Sequence, residues 1–155
     1  LKGSCIRSLA LILAFTGAPL VHVQADIEGI HSEALEEAVN KAKEEGKHLY
    51  VAFLGEGWSL GCKRFKAAIL ESACFKRFSA EHLVYLPVEA RRKPKLTPEE
   101  VAVLQSWVIH FDVKAYPTLI LIAPDGEELL RHGYRDLGPE AYIDLLKNIL
   151  PEQTD

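Results

Sequence analysis

Residues 48–63 read HLYVAFLGEGWSLGCK, and three kinds of local structure follow from them in order. His48–Leu54 is a short apolar run rich in β-formers, the pattern of a buried strand. Gly55-Glu56-Gly57 is a turn. Ser59 then opens a helix, because a serine at that position accepts N–H bonds from the residues two or three further on. Two cysteines separated by two residues at such a helix start can close a reversible disulfide. Here Ser59 holds the first of those positions and Cys62 the second, so half of that chemistry is missing.

Working outward, the apolar phase predicts a long helix from about Ser59 to Phe78, burying Phe65 and Ile69 while Lys63, Lys66 and Lys76 face water. Upstream, Leu35, Ala38, Val39 and Ala42 recur at helical spacing with Gly46 as a stop, which predicts a helix over 32–45. Downstream, LVYLPV at 83–88 is a second strand limited by Pro87, and Arg91-Arg92-Lys93-Pro94-Lys95 is a solvated basic loop. Thr97-Pro98-Glu99-Glu100 has the marks of a capped helix start, with Val101, Leu104, Val108 and Phe111 as its apolar stripe. TLILIA at 118–123 is a third strand. Pro124-Asp125-Gly126 turns it into a fourth over 127–132. Gly138-Pro139 opens a last helix whose inner face is Tyr142, Leu145, Leu146 and Ile149.

The first 25 residues have the pattern of a secretory signal. Lys2 and Arg7 precede an apolar Leu9–Phe15 core, and Val23-Gln24-Ala25 offers small residues before a cleavage point at Asp26. The apolar stretch is broken by Gly17 and Pro19 and is shorter than the roughly 20 residues that span a bilayer. The expectation is therefore a signal peptide over 1–25, one domain over 26–155, export to the periplasm or beyond, and no membrane attachment after cleavage. An uncleaved anchoring N-terminus is the other reading of the same pattern.

The whole chain has 155 residues and a formal charge of −4. Removing residues 1–25 takes away Lys2 and Arg7 and no acid, so 18 − 2 basic residues against 22 acidic ones leave −6. Such a surface has no basic field to hold nucleic acid. The composition, 48% hydrophobic and 26% charged, suits one globular domain with its own core. Six histidines are scattered without ligand spacing, and no phosphate loop is present, so neither metal nor cofactor is expected.

The order α, β, α, β, α, β, β, α resembles that of the thioredoxin-like superfamily. Three matches carry the resemblance. Trp58-Ser59-Leu60-Gly61-Cys62-Lys63 stands where the family has Trp-Cys-x-x-Cys-Lys, Val113–Thr118 matches its cis-proline segment, and Asp125-Gly126 matches its hairpin turn. Similarity extends over about residues 30–150. It is nearest in style to small exported bacterial disulfide oxidoreductases of the DsbH kind. The resemblance implies an α/β thioredoxin-like fold with a central mixed four-stranded sheet flanked by helices.

It also implies roles for residues. The attacking position falls on Ser59, the resolving position on Cys62, and client contact on Trp58, Tyr116 and Pro117. Partners would be protein thiols or disulfides, with glutathione or a membrane electron donor as the source of electrons. A serine hydroxyl cannot form a disulfide, so the two-thiol cycle is closed to this chain. Twelve residues separate Cys74 from Cys62; as continuous helix that is about 18 Å of rise, whereas a disulfide needs Cα atoms within roughly 7 Å. Cys74 is accordingly expected to be a small core residue. The acid that many thioredoxins bury in the first long strand is absent; Ala52 takes its place.

Three readings stay open. Cys62 is a single reactive thiol that exchanges with glutathione or a client, or Ser59 stands in for the cysteine of a parent reductase. Alternatively Cys62 is an inert filler and the chain is a non-catalytic module that binds clients by Pro117. A third reading is peroxide reduction at Cys62 with an external thiol.

Overall fold

All seven residues of β1, His48–Leu54, are buried. A strand covered on both faces must lie inside the sheet, and β1 does. It pairs in parallel with β2 (Leu83–Glu89) and antiparallel with β3 (Thr118–Ile122), which pairs antiparallel with β4 (Glu128–His132). The sheet order is β2-β1-β3-β4. These observations come from a computed structural model that describes residues 33–92 and 95–150. The signal segment expected over 1–25, and the residue expected to start the first helix, Ser32, lie outside the described residues, as do Lys93 and Pro94 of the basic loop.

Because side chains alternate along a strand, β1 feeds two cores. Leu49, Val51 and Phe53 meet α1 (Glu33–Glu45) and the end of α4 (Pro98–His110) on one face. Tyr50, Ala52 and Leu54 meet α2 (Leu60–Phe65), α3 (Ala73–His82) and α5 (Pro139–Lys147) on the other. Pro87 is exposed on β2, an edge strand, where a residue without an N–H costs the ladder little.

The expected helix over 59–78 is broken. After α2 the chain makes a π-helical turn, Lys66–Leu70, and restarts at α3 with Ser72 as N-cap. The cause is a phase change. Phe65 and Ile69 are buried one turn apart, but an unbroken helix would next turn Ser72 and Lys76 inward, while the apolar pair is Phe75 and Phe78. The wide turn and the new cap absorb the mismatch. Ser72 donates to Ile69 O at 2.7 Å and accepts from Phe75 N at 3.3 Å.

Two further expectations are corrected. Cys74 is half-buried at the edge of a cleft between α3 and α5 rather than a core residue, with Sγ 3.9 Å from Glu140 Oε1. In α4 Leu104 and Val108 pack against the core as expected and Phe111 is buried just beyond it, but Trp107 is the buried residue of the helix and Val101 is exposed, because the first turns of the helix lie off the core. Its free N-terminal half is held by a capping box between Thr97 and Glu100. The hairpin turn at Asp125-Gly126 has Gly126 at φ 96°, and Glu127 N–H donates to Asp125 Oδ1.

His48 and His132 are the two buried polar residues of the described core. Burial lowers the proton affinity of both. For His48, Asp125 partly offsets this; for His132, its bond to the Gly133 backbone does. Each therefore binds its proton more weakly folded than unfolded, so the unfolded chain holds more protons just below about pH 6.5. Stability should be complete above that value and fall as pH drops through it. The urea midpoint is expected to be flat on the alkaline side and to decline on the acid side, with a shallower decline in His48→Asn. An identical decline in that variant would contradict the assignment.

Candidate functional site

The site is built where β1 ends. Gly55 follows the strand, and its N–H donates to Cys62 Sγ at 3.1 Å. The Trp58 ring folds back so closely over Gly55 that a Cβ there would stand 2.7 Å from Trp58 Cζ2 and 2.9 Å from Ser59 Cβ. Only glycine leaves room for both.

Ser59 is the N-cap of α2 and accepts from Cys62 N at 3.3 Å. Its hydroxyl proton goes to Tyr116 O at 3.2 Å. The Tyr116–Pro117 peptide bond is cis. Gly61 lies against the proline ring, since a Cβ there would be 3.4 Å from Pro117 Cδ and 3.6 Å from Tyr134 Cβ. Ser59, Cys62, Tyr116 and Pro117, far apart in sequence, thus converge on one point of the surface. Trp58 joins them, its ring edge-on to Tyr116 at 5.3 Å.

Sequence reasoning missed what holds Trp58. Its Nε1–H donates to Ala90 O at 2.7 Å, and the Arg92 guanidinium lies 4.6 Å over the ring. Part of the expected solvated basic loop is therefore a clamp on the site. Trp58 and Arg92 are far apart in the chain, and no local pattern links them.

Exposure divides the two motif positions. Cys62 is only 4% exposed and packs with Ala52 and Phe65. Ser59 is half-buried at the surface, between Trp58 (38% exposed) and Leu60 (62%). A cavity of about 550 Å³ reaches Cys62 from the side of Leu54–Ser59, and Lys63, Lys66 and Glu71 also line it. Lys66 Nζ pairs with Glu56 Oε2 at 3.5 Å on its wall. Burial, and then the Cys62 sulfur, push the Tyr116 phenol up from its ordinary value. Cys62 and Cys74 are both free thiols. The helix break does not pair them: Cys62 faces Gly55 and Cys74 faces Glu140.

Among the described residues, no group of three or more His, Cys, Asp or Glu is arranged to hold a metal. No described helix is long and apolar enough to cross a membrane.

Comparison with known proteins agrees with this architecture. A family profile described as a thioredoxin-like domain matches residues 35–150, and the chain belongs to that family. The disulfide bond reductase DsbH of Chlamydia pneumoniae is 29% identical over 118 residues, 76% of this chain and 71% of that protein. A solved DsbH oxidoreductase superposes with a TM-score of 0.69 at 24% identity, covering 96% of this chain and 94% of that one. The reduced C-terminal domain of DsbD from Neisseria meningitidis gives 0.58 at 16% identity, over 76% and 95% of the two chains. The last two likenesses are of fold.

Gly55→Ala should force Trp58 off the backbone and cost about 1–3 kcal/mol, the usual range for overpacking. Urea unfolding followed by tryptophan fluorescence measures it. A loss near zero would mean that the ring is not held where described.

Proposed function

We propose that this thioredoxin-like protein is an exported member of the thiol–disulfide oxidoreductase family in which one cysteine, Cys62, carries at most a single-thiol exchange while Ser59 occupies the family's attacking position. Its clients are protein thiols or disulfides, held as extended segments in the groove by Trp58, Tyr116 and Pro117. The observation that carries the reading is the Gly55 N–H directed at Cys62 Sγ beside Ser59 and the Tyr116 carbonyl. The amide fixes the sulfur in one place behind Ser59 and the cis-proline segment, where a client disulfide held in the groove would meet it. Export rests on the signal pattern of residues 1–25.

The exchange balances as follows. The Cys62 thiol gives up its proton, and the thiolate attacks a disulfide R–S–S–R′. A Cys62–S–S–R bond forms, the old S–S bond breaks, and R′S⁻ leaves to take a proton. Ser59 has no sulfur with which to resolve the product, so an external thiol of the glutathione class, or a membrane electron donor, must attack the mixed disulfide and return the Cys62 thiolate. The cavity that reaches Cys62 is a route for such a small reductant.

The 96% burial of Cys62 favours a second reading, a client-binding module without chemistry, because a sulfur so enclosed reacts slowly. One-cysteine peroxide reduction would instead leave a sulfenic acid on Cys62.

Incubation of the folded protein with oxidised glutathione, followed by peptide mapping, separates these readings. Exchange predicts an adduct on Cys62 that is lost in Cys62→Ala. Absence of an adduct from the folded wild type would leave the binding module. Ser59→Cys is expected to form a closable disulfide with Cys62 and to acquire insulin-reducing activity. A folded Ser59→Cys protein that does neither would contradict the placement of the motif.

A further inference from the structure

Three polar side chains are buried together and take no part in the exchange. They are Tyr50 on β1, Tyr142 on α5 and His132 at the end of β4, with 0, 1 and 8% exposure. His132 Nδ1 is 2.7 Å from Gly133 O, which can only accept, so Nδ1 carries a proton. Burial is the first cause that keeps the ring neutral, and Arg135 adds to it. Nε2 is then an acceptor, and the Tyr142 hydroxyl donates to it at 3.0 Å. The Tyr142 oxygen in turn accepts from Tyr50. The chain of donors runs one way, from Tyr50 through Tyr142 and His132 to the Gly133 carbonyl.

Its end lies on the wall of the groove. A Cβ on Gly133 would stand 3.5 Å from Pro117 O, and Tyr134 packs over Gly61 in the first turn of α2. The Tyr142 ring also meets Phe65 of α2 edge-on at 5.4 Å. Residues 133–134 are therefore pressed between the proline and α2; Tyr134 packs against the core there, and the described hydrogen bond that ties their backbone to a buried side chain is that of His132. Beyond it, Tyr134 donates to Asp136, a surface contact.

We propose that His132 is a positioning residue: through Gly133 it fixes the 133–134 backbone against Pro117 and so sets the width of the groove for an extended, apolar client segment. This rests on the client-holding part of the proposed function. The rim fits such a segment, with Trp58 and Leu60 exposed beside Tyr116 and Tyr134.

The arrangement is acid-sensitive. A second proton on His132 turns Nε2 into a donor facing Tyr142, whose own proton must then swing to Tyr50. The Tyr50 hydroxyl, fully enclosed, is left without an acceptor. The groups that face His132 are Tyr142 from α5, Tyr50 through it from β1, and Arg135 from the following loop; across the sheet its partner is the uncharged Leu119. Arg131, next on β4, is turned to Glu128 and the Phe111 carbonyl. No carboxylate stands by to stabilise the imidazolium among the described contacts of the ring.

The test uses the full chain and a short, fluorescent, cysteine-free peptide of alternating valine and serine. Its affinity is read by anisotropy from about pH 8 to about pH 5, across the range in which histidine titrates. The glutathione adduct on Cys62 is measured in the same samples. Wild type is expected to lose affinity by about fivefold on the acid side, the size of one net hydrogen bond, and His132→Asn to bind with no such slope. Tyr142→Phe keeps the aromatic contacts of the ring with Phe65, Phe75 and His132 and should bind about fivefold more weakly at every pH, with the rate of adduct formation unchanged. Tyr50→Phe only moves the hydroxyl left without an acceptor from Tyr50 to Tyr142, so it should keep an acid loss like that of wild type; Tyr142→Phe carries the test if His132→Asn does not fold. Equal pH curves for wild type and His132→Asn, a Tyr50→Phe without the acid loss, or a Tyr142→Phe that binds as wild type would overturn the role of His132 and leave the groove reading standing. A wild type that binds no peptide at any pH would remove the groove reading and this proposal with it, while the adduct on Cys62 still reports the exchange separately.

Discussion

Burial of β1 on both faces is the constraint from which the rest follows. With seven consecutive residues enclosed, the strand cannot shift register by one place without exchanging the contents of the two cores. Its C-terminal end is thereby fixed, and with it the Gly55 amide that meets the Cys62 sulfur. The chain leaves the strand through a turn with Gly57 at φ 76° and enters α2 at once. Cys62 sits in the first turn of α2, and the amide that meets its sulfur is placed by the most buried of the described strands.

The same strand sets the division of labour at the site. Residues on its α2 side form a core that is apolar except for the Tyr50–Tyr142–His132 chain, and Ala52 lies in that core beside Cys62. Among the described residues no carboxylate hydrogen-bonds the sulfur. What approaches it is a backbone amide, and at the surface a serine whose hydroxyl proton is committed to the Tyr116 carbonyl. The proposed exchange at Cys62 would have a fixed hydrogen-bond donor and no second thiol, so each turn would need an outside reductant. Ala90 and Arg92 hold the Trp58 indole, which lines the cavity and meets Tyr116 edge-on.

Much of this was legible in the sequence because local pattern and fold agree. The four strands and their order, the capping box at Thr97 and the glycine of the hairpin turn each follow from a few adjacent residues. Two kinds of feature did not. The break after Leu70 depends on a phase slip between Phe65 and Ile69 on one side and Phe75 and Phe78 on the other, which a single periodic stripe conceals; Ser72 was the cue. Long-range polar contacts leave no periodic trace at all. Nothing in the spacing of Tyr50, His132 and Tyr142 announces that they touch, since the meeting is arranged by three different elements. Arg92 on Trp58 is of the same kind.

The central claim is that Cys62 is an available thiol within the folded protein despite its enclosure. Alkylation of the native chain, with peptide mapping to separate Cys62 from Cys74 and with urea varied below the unfolding transition, tests it most directly. The account predicts that Cys62 is modified without denaturant, at a rate that stays nearly constant until the transition begins, because access runs through the cavity and local movement of Trp58. Modification of Cys62 that rises with urea in proportion to global unfolding, while Cys74 reacts freely, would make the sulfur a structural filler and contradict the account.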